Sequence, residues 1–156
     1  MFRSIKIRHL IALILLLPLS ACQFAPAKPE GFDPAPVQSA EQIRPSPDTS
    51  KAALALLARA RSAAKSGELD VAEAQLERAL RIEPRNAVLW HYMAKLRLYQ
   101  GRLGEAAGLA AKSNSLARSD PRLQANNWRI IAHARYQQGD LAGAQAAQQH
   151  VNALTK

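Results

Sequence analysis

Gly67-Glu68-Leu69-Asp70-Val71-Ala72, set against two later stretches, decides the fold. The pattern returns as Gly101-Arg102-Leu103-Gly104-Glu105-Ala106 and as Gly139-Asp140-Leu141-Ala142-Gly143-Ala144. All three share Gly-x-Leu-x-x-Ala, with the glycines 34 and then 38 residues apart. Leu56, Trp90 and Trp128 each stand eleven residues before a glycine. From Ser50 onward the chain is rich in alanine and leucine, poor in β-branched residues, and apolar at helical spacing. Each unit therefore predicts a helix, a glycine turn and a second helix. Glycine ends the first helix because, without a Cβ, it enters the left-handed C-terminal conformation at no steric cost. A helical unit recurring at this period marks a stacked array in which neighbouring units bury one another's apolar faces.

These positions resemble the tetratricopeptide repeat. In the first unit Leu56, Ala60, Gly67, Ala72, Leu76, Ala79 and Pro84 fall on the signature places. The second unit matches at Trp90, Ala94, Gly101 and Ala106, and the third at Trp128, Ala132, Gly139 and Ala144. The resemblance covers residues 50–156 and implies an all-α fold, an antiparallel helix-pair solenoid of three repeats at about 53–86, 87–124 and 125–156. Two departures stand out. Ser113 replaces the usual small helix-contact residue, and four extra residues around Ala117 to Pro121 predict a longer second helix or following loop. The alanines are expected at close helix crossings, where a larger side chain would force the helices apart. The same register makes Trp90 and Trp128 interhelical packing residues rather than a stacking platform for a ligand.

The N-terminus reads differently. Arg3, Lys6 and Arg8 precede an apolar run from Leu10 to Leu17, followed by Leu19-Ser20-Ala21-Cys22 with the only cysteine of the chain. Basic, apolar and small segments in that order form a secretory signal peptide, here residues 1–21. The run is too short for a membrane span and is broken by Pro18. The tetrapeptide resembles the lipobox of bacterial lipoproteins, which implies cleavage before Cys22, a diacylglycerol on its thiol and acylation of the new amine. Several acyl chains on one residue make a lasting anchor, whereas one holds only marginally. Gln23, in place of the Asp that resembles an inner-membrane retention signal, points to the periplasmic face of the outer membrane. Residues 22–49 then carry six of the nine prolines and little apolar periodicity. Such a segment buries too little apolar surface to offset its ordering entropy and is expected to be a disordered tether. Its 27 residues from Gln23 span roughly 80 Å if extended as polyproline.

No phosphate-binding glycine loop, nucleophile elbow or metal-spaced histidine pair is present, so the sequence predicts no enzyme, no cofactor, no catalytic residue and no metal site. Charge is the remaining signal. Residues 50–156 hold sixteen Lys and Arg against eight Asp and Glu, a net of +8, while residues 23–49 carry −2. In this repeat family the first helix of each pair lines the concave face, which places Leu57, Arg61, Lys65, His91, Lys95, Tyr99, Arg129, His133 and Gln137 there. A basic and aromatic groove attracts an acidic or carboxylate-bearing peptide. The paired asparagines of the chaperone-type carboxylate clamp are missing. An exported, lipid-anchored domain rarely meets nucleic acid, so the expected partner is an envelope protein. Anchor, proline linker and small repeat domain together resemble the lipoprotein activators of bifunctional, class A penicillin-binding proteins. A pilotin-like assembly factor for a secretin or pilus, and a structural envelope scaffold, are the alternatives.

Overall fold

Six helices follow from the glycine pattern: α1 (Lys51–Lys65), α2 (Leu69–Ile82), α3 (Ala87–Tyr99), α4 (Leu103–Leu116), α5 (Pro121–Gln137) and α6 (Leu141–Leu154). They belong to a computed structural model that describes residues 43, 45 and 47–156. The expected signal peptide, Cys22 and most of the expected tether lie outside the described residues. Among those residues no helix is long and apolar enough to cross a membrane, and the fold is all-α, as the repeat resemblance implies.

Gly67, Gly101 and Gly139 sit at φ +79°, +72° and +81°, each one residue past the helix cap. In every case the next residue's N–H reaches back to a carbonyl of the last turn. Glu68 donates to Ala63, Arg102 to Arg97 and Asp140 to Arg135, all at 2.9 Å. That geometry satisfies carbonyls the helix end leaves orphaned, and it reverses the chain for the second helix to pack back. Helices α1 with α2, α3 with α4, and α5 with α6 form the three pairs. Pair joins pair through α2 with α3, α4 with α5 and α3 with α5. Helix α3 is central, so it is buried on nearly every face, at Val88, Leu89, His91, Met93, Ala94, Leu96, Arg97 and Leu98.

The four extra residues lengthen neither the fourth helix nor the loop. They form an added first turn of α5, which starts at Pro121 and not near 125. Pro121 takes a position where no backbone N–H is needed, and the Asp120 side chain caps the turn by accepting from Leu123 N–H at 2.9 Å. Leu123 is thereby turned into the core at 2% exposure.

The alanines expected at helix crossings are placed as the register predicts. Ala60, Ala72, Ala79, Ala94, Ala106, Ala132 and Ala144 are all buried. Ala106→Leu is expected to lower stability by about 1–3 kcal/mol, because a 0% exposed site on α4 has no room for three more heavy atoms. Thermal unfolding followed by circular dichroism measures it, and an unchanged melting temperature would contradict the packing. The tryptophans are only partly buried. Trp128 packs on the apolar cluster that includes Ala106, Ile131 and Ala144 and stacks on His150 at 4.0 Å, while Trp90 donates its indole N–H to the Pro84 carbonyl at 2.8 Å.

Ser113 has a structural reason. Its hydroxyl donates to the Ala87 carbonyl at 2.8 Å and accepts from Asn127 Nδ2 at 2.7 Å. Asn127 Nδ2 also donates to Asn114 Oδ1 at 2.9 Å, which leaves Asn127 Oδ1 as the acceptor for His91 Nδ1–H at 2.8 Å. A buried polar network therefore staples α3 and α4 to α5.

The segment ahead of α1 differs from a free tether ending at Thr49. Ile43 and Thr49 are buried, at 3% and 7% exposure. Asn86 Nδ2 donates to Thr49 Oγ1 at 3.1 Å, and Ser50 N–H donates to Glu83 Oε1 at 2.7 Å. Burial of Ile43 and Thr49, with the hydrogen bonds of Thr49 and Ser50, offsets part of the ordering entropy that proline-rich composition otherwise leaves unopposed.

Candidate binding groove

Helices α1 and α3 hold the first two rows of expected groove residues, because positions four apart on a helix share a face. Leu57, Arg61 and Lys65 on α1 meet His91, Lys95 and Tyr99 on α3 around one cavity of about 410 Å³. Its floor is apolar, made by Ala60, Leu69, Ala72, Leu76 and Leu96. Two of the six are not solvent-facing contacts: Leu57 and His91 are each 2% exposed and form the base of the cavity. The third row stands apart. Arg129, His133 and Gln137 do not line this cavity. They form a partly exposed stripe along α5, in which Arg129 bonds to Asn126 at 3.3 Å and His133 Nε2 lies 2.8 Å from Gln137 Nε2.

The cavity's cations are backed by rings rather than by carboxylates. Arg61 lies over the Tyr92 ring at 5.6 Å and Lys95 over the Tyr99 ring at 5.9 Å. Among the described residues no ion pair with a carboxylate holds Arg61, Lys65 or Lys95. Burial, and then the nearby Arg61, push the Lys95 ammonium below its usual range, and burial raises the Tyr92 and Tyr99 phenols. A partly desolvated cation with no anion beside it gains most from an incoming one. The site suits a ligand with an apolar body and a carboxylate. Tyr92 was not among the expected residues. It lies three residues before Lys95 and seven before Tyr99, so the same helical spacing marks it.

His91 serves structure. Burial holds it down to about pKa 4 from 6.5, so the native ring is neutral and donates to Asn127. The unfolded chain takes up that proton below 6.5, so this stability is present above pH 6.5 and is lost as pH falls toward 4. Glu73 adds a second window. Hydrogen bonds from Arg97 and then Gln100 hold its carboxyl at about 2, so stability present above 4.5 is lost on further acidification toward 2. The melting temperature is expected to decline in two stages, with His91→Gln flattening the first and Glu73→Gln the second. A wild-type profile that is level from neutrality to pH 5 would contradict the first stage.

A family model described as "Tetratricopeptide repeat" matches residues 53–96. No curated protein matches the chain significantly. Among solved structures, the globular C-terminal domain of P. aeruginosa LpoP is similar at 42% identity and TM-score 0.64, over 66% of this chain and 97% of that one. The N-terminal domain of stress-induced protein-1 (STI-1) from C. elegans shares the fold, with 20% identity and TM-score 0.60 over 71% of this chain and 100% of that one. With glycine turns, alanine crossings and helix pairs coinciding with these matches, the chain belongs to the family of tetratricopeptide-repeat proteins represented by the LpoP globular domain.

Proposed function

We propose that this chain is a protein-interaction adaptor of the bacterial envelope, anchored through Cys22 on the periplasmic face of the outer membrane, that activates a class A penicillin-binding protein. The observation that carries the reading is the 42% identity to the LpoP globular domain across 97% of its length. It accords with the resemblance of anchor, linker and repeat domain to lipoprotein activators of these synthases. The groove between α1 and α3 is the partner's site, with Arg61, Lys65 and Lys95 receiving carboxylates and the apolar floor receiving aliphatic side chains. Residues 22 to about 42 are the tether, which lets the domain reach away from its membrane.

The purified mature protein, added to a class A penicillin-binding protein from the same cell, is expected to raise its rate of glycan polymerisation. No acceleration with any such synthase would refute activation. Cys22→Ala is expected to move the protein from the membrane fraction to the soluble periplasm, and an unacylated wild-type protein would refute the anchor.

A further inference from the structure

We propose that the chain's own linker is an intramolecular ligand of the α1–α3 groove, with Ile43 as its anchor, and that a partner segment enters by displacing it. The inference rests on the reading of that groove as the partner's site. Ile43 lies outside the repeat units, yet it is 3% exposed and packs in the same apolar cluster as Leu57, Ala60, Leu76 and Leu96. It also lines the cavity that Arg61 and Lys95 border. Its backbone carbonyl accepts a hydrogen bond from the Tyr92 hydroxyl at 3.3 Å, across 49 residues of sequence. An extended peptide is held in this way in a groove: a side chain sinks into the apolar floor while a wall residue takes the main-chain carbonyl.

Two features make the occupant a displaceable one. The cavity of about 410 Å³ extends past Ile43 along Arg61, Lys65, Lys95 and Tyr99, so the Ile43 side chain fills only part of it. The cations at its edge have no carboxylate among the described residues, so a segment with an aliphatic anchor and an adjacent carboxylate satisfies more of the site than Ile43 does. Covalent attachment gives the linker a high effective concentration, which offsets its poorer fit. Affinity for an outside ligand is then reduced by the fraction of molecules whose groove is uncovered.

A fluorescein-labelled synthetic peptide with the sequence of residues 38–48 is the probe, titrated by fluorescence polarisation into the full mature protein. Ile43→Ser protein is expected to bind it about fivefold or more tighter than wild type, because the competing occupant is gone. Ile43→Ala protein falls between them, and a peptide carrying Ile43→Ser binds none of the three. Melting curves establish that both variants are folded. Equal affinity for wild type and Ile43→Ser, or no binding to either variant, would overturn the proposal. No penicillin-binding protein enters this titration, so failure of the activation reading and failure of the linker as a ligand are separately visible.

Discussion

Arg97→Ala is expected to lower the melting temperature of the repeat domain by more than about 10 °C, because it removes one member of a buried ion pair. Arg97 on α3 is 8% exposed and pairs through both terminal nitrogens with the two carboxylate oxygens of Glu73 on α2, Nη2 donating to Oε1 at 2.6 Å. Nη1 also donates to Gln100 Oε1 at 2.8 Å, and Nε lies 3.3 Å from Glu105 Oε2 on α4. One guanidinium thus joins three helices across the boundary of the first two repeats. Removing one member of a buried pair costs about 3–5 kcal/mol, because the other is left desolvated without a counter-charge. Glu73 keeps 22% side-chain exposure, so the lower end, about 3 kcal/mol, applies. Replacing both, as Arg97→Met with Glu73→Leu, is expected to recover most of the loss, since neither charge remains to be desolvated. Thermal unfolding of the single and double variants, at neutral pH, measures this. A shift of less than about 2 °C for Arg97→Ala would show the pair contributes no more than an exposed one.

Reversal of Arg61 and Lys95 to glutamate is expected to weaken partner binding more than tenfold while leaving the fold intact. Both side chains border the same cavity, and the double reversal takes residues 50–156 from +8 to +4. Like charges placed against an acidic ligand cost several kcal/mol, so more than about tenfold is the modest end of the range. Arg129→Glu, which the repeat register groups with these two, is expected to do far less, because Arg129 does not line the cavity. Wild-type binding is expected to weaken as salt rises through the range in which the Debye length shortens from about 10 Å. Titration of the synthase against wild type, the double variant and Arg129→Glu at two ionic strengths measures all three expectations. Equal affinities in a folded double variant would take the groove charges out of the mechanism.

The helix pairs, their glycine turns and their alanine crossings were legible from sequence because they are local. A left-handed turn every 34 to 38 residues, with small residues at fixed offsets from it, leaves a chain of this composition little else to fold into. The same register found six residues of one cavity, since a helical face is set by spacing alone. Three features were decided only by tertiary structure. The third row of the expected groove separated from the first two, because register along a helix does not say which helices come together around a cavity. Ser113 looked like a flaw in the repeat until Asn127, 14 residues from it, and His91, 36 residues from Asn127, closed a hydrogen-bond network around it. Ile43, in a stretch read as tether by its prolines, found an apolar site and a tyrosine hydroxyl 49 residues away. Composition measures what a segment can bury by itself, whereas a folded domain offers it a surface already built. Sequence by itself thus determined the repeats and the faces of their helices. Tertiary packing decided which of those faces meet, and what else the groove they form takes in.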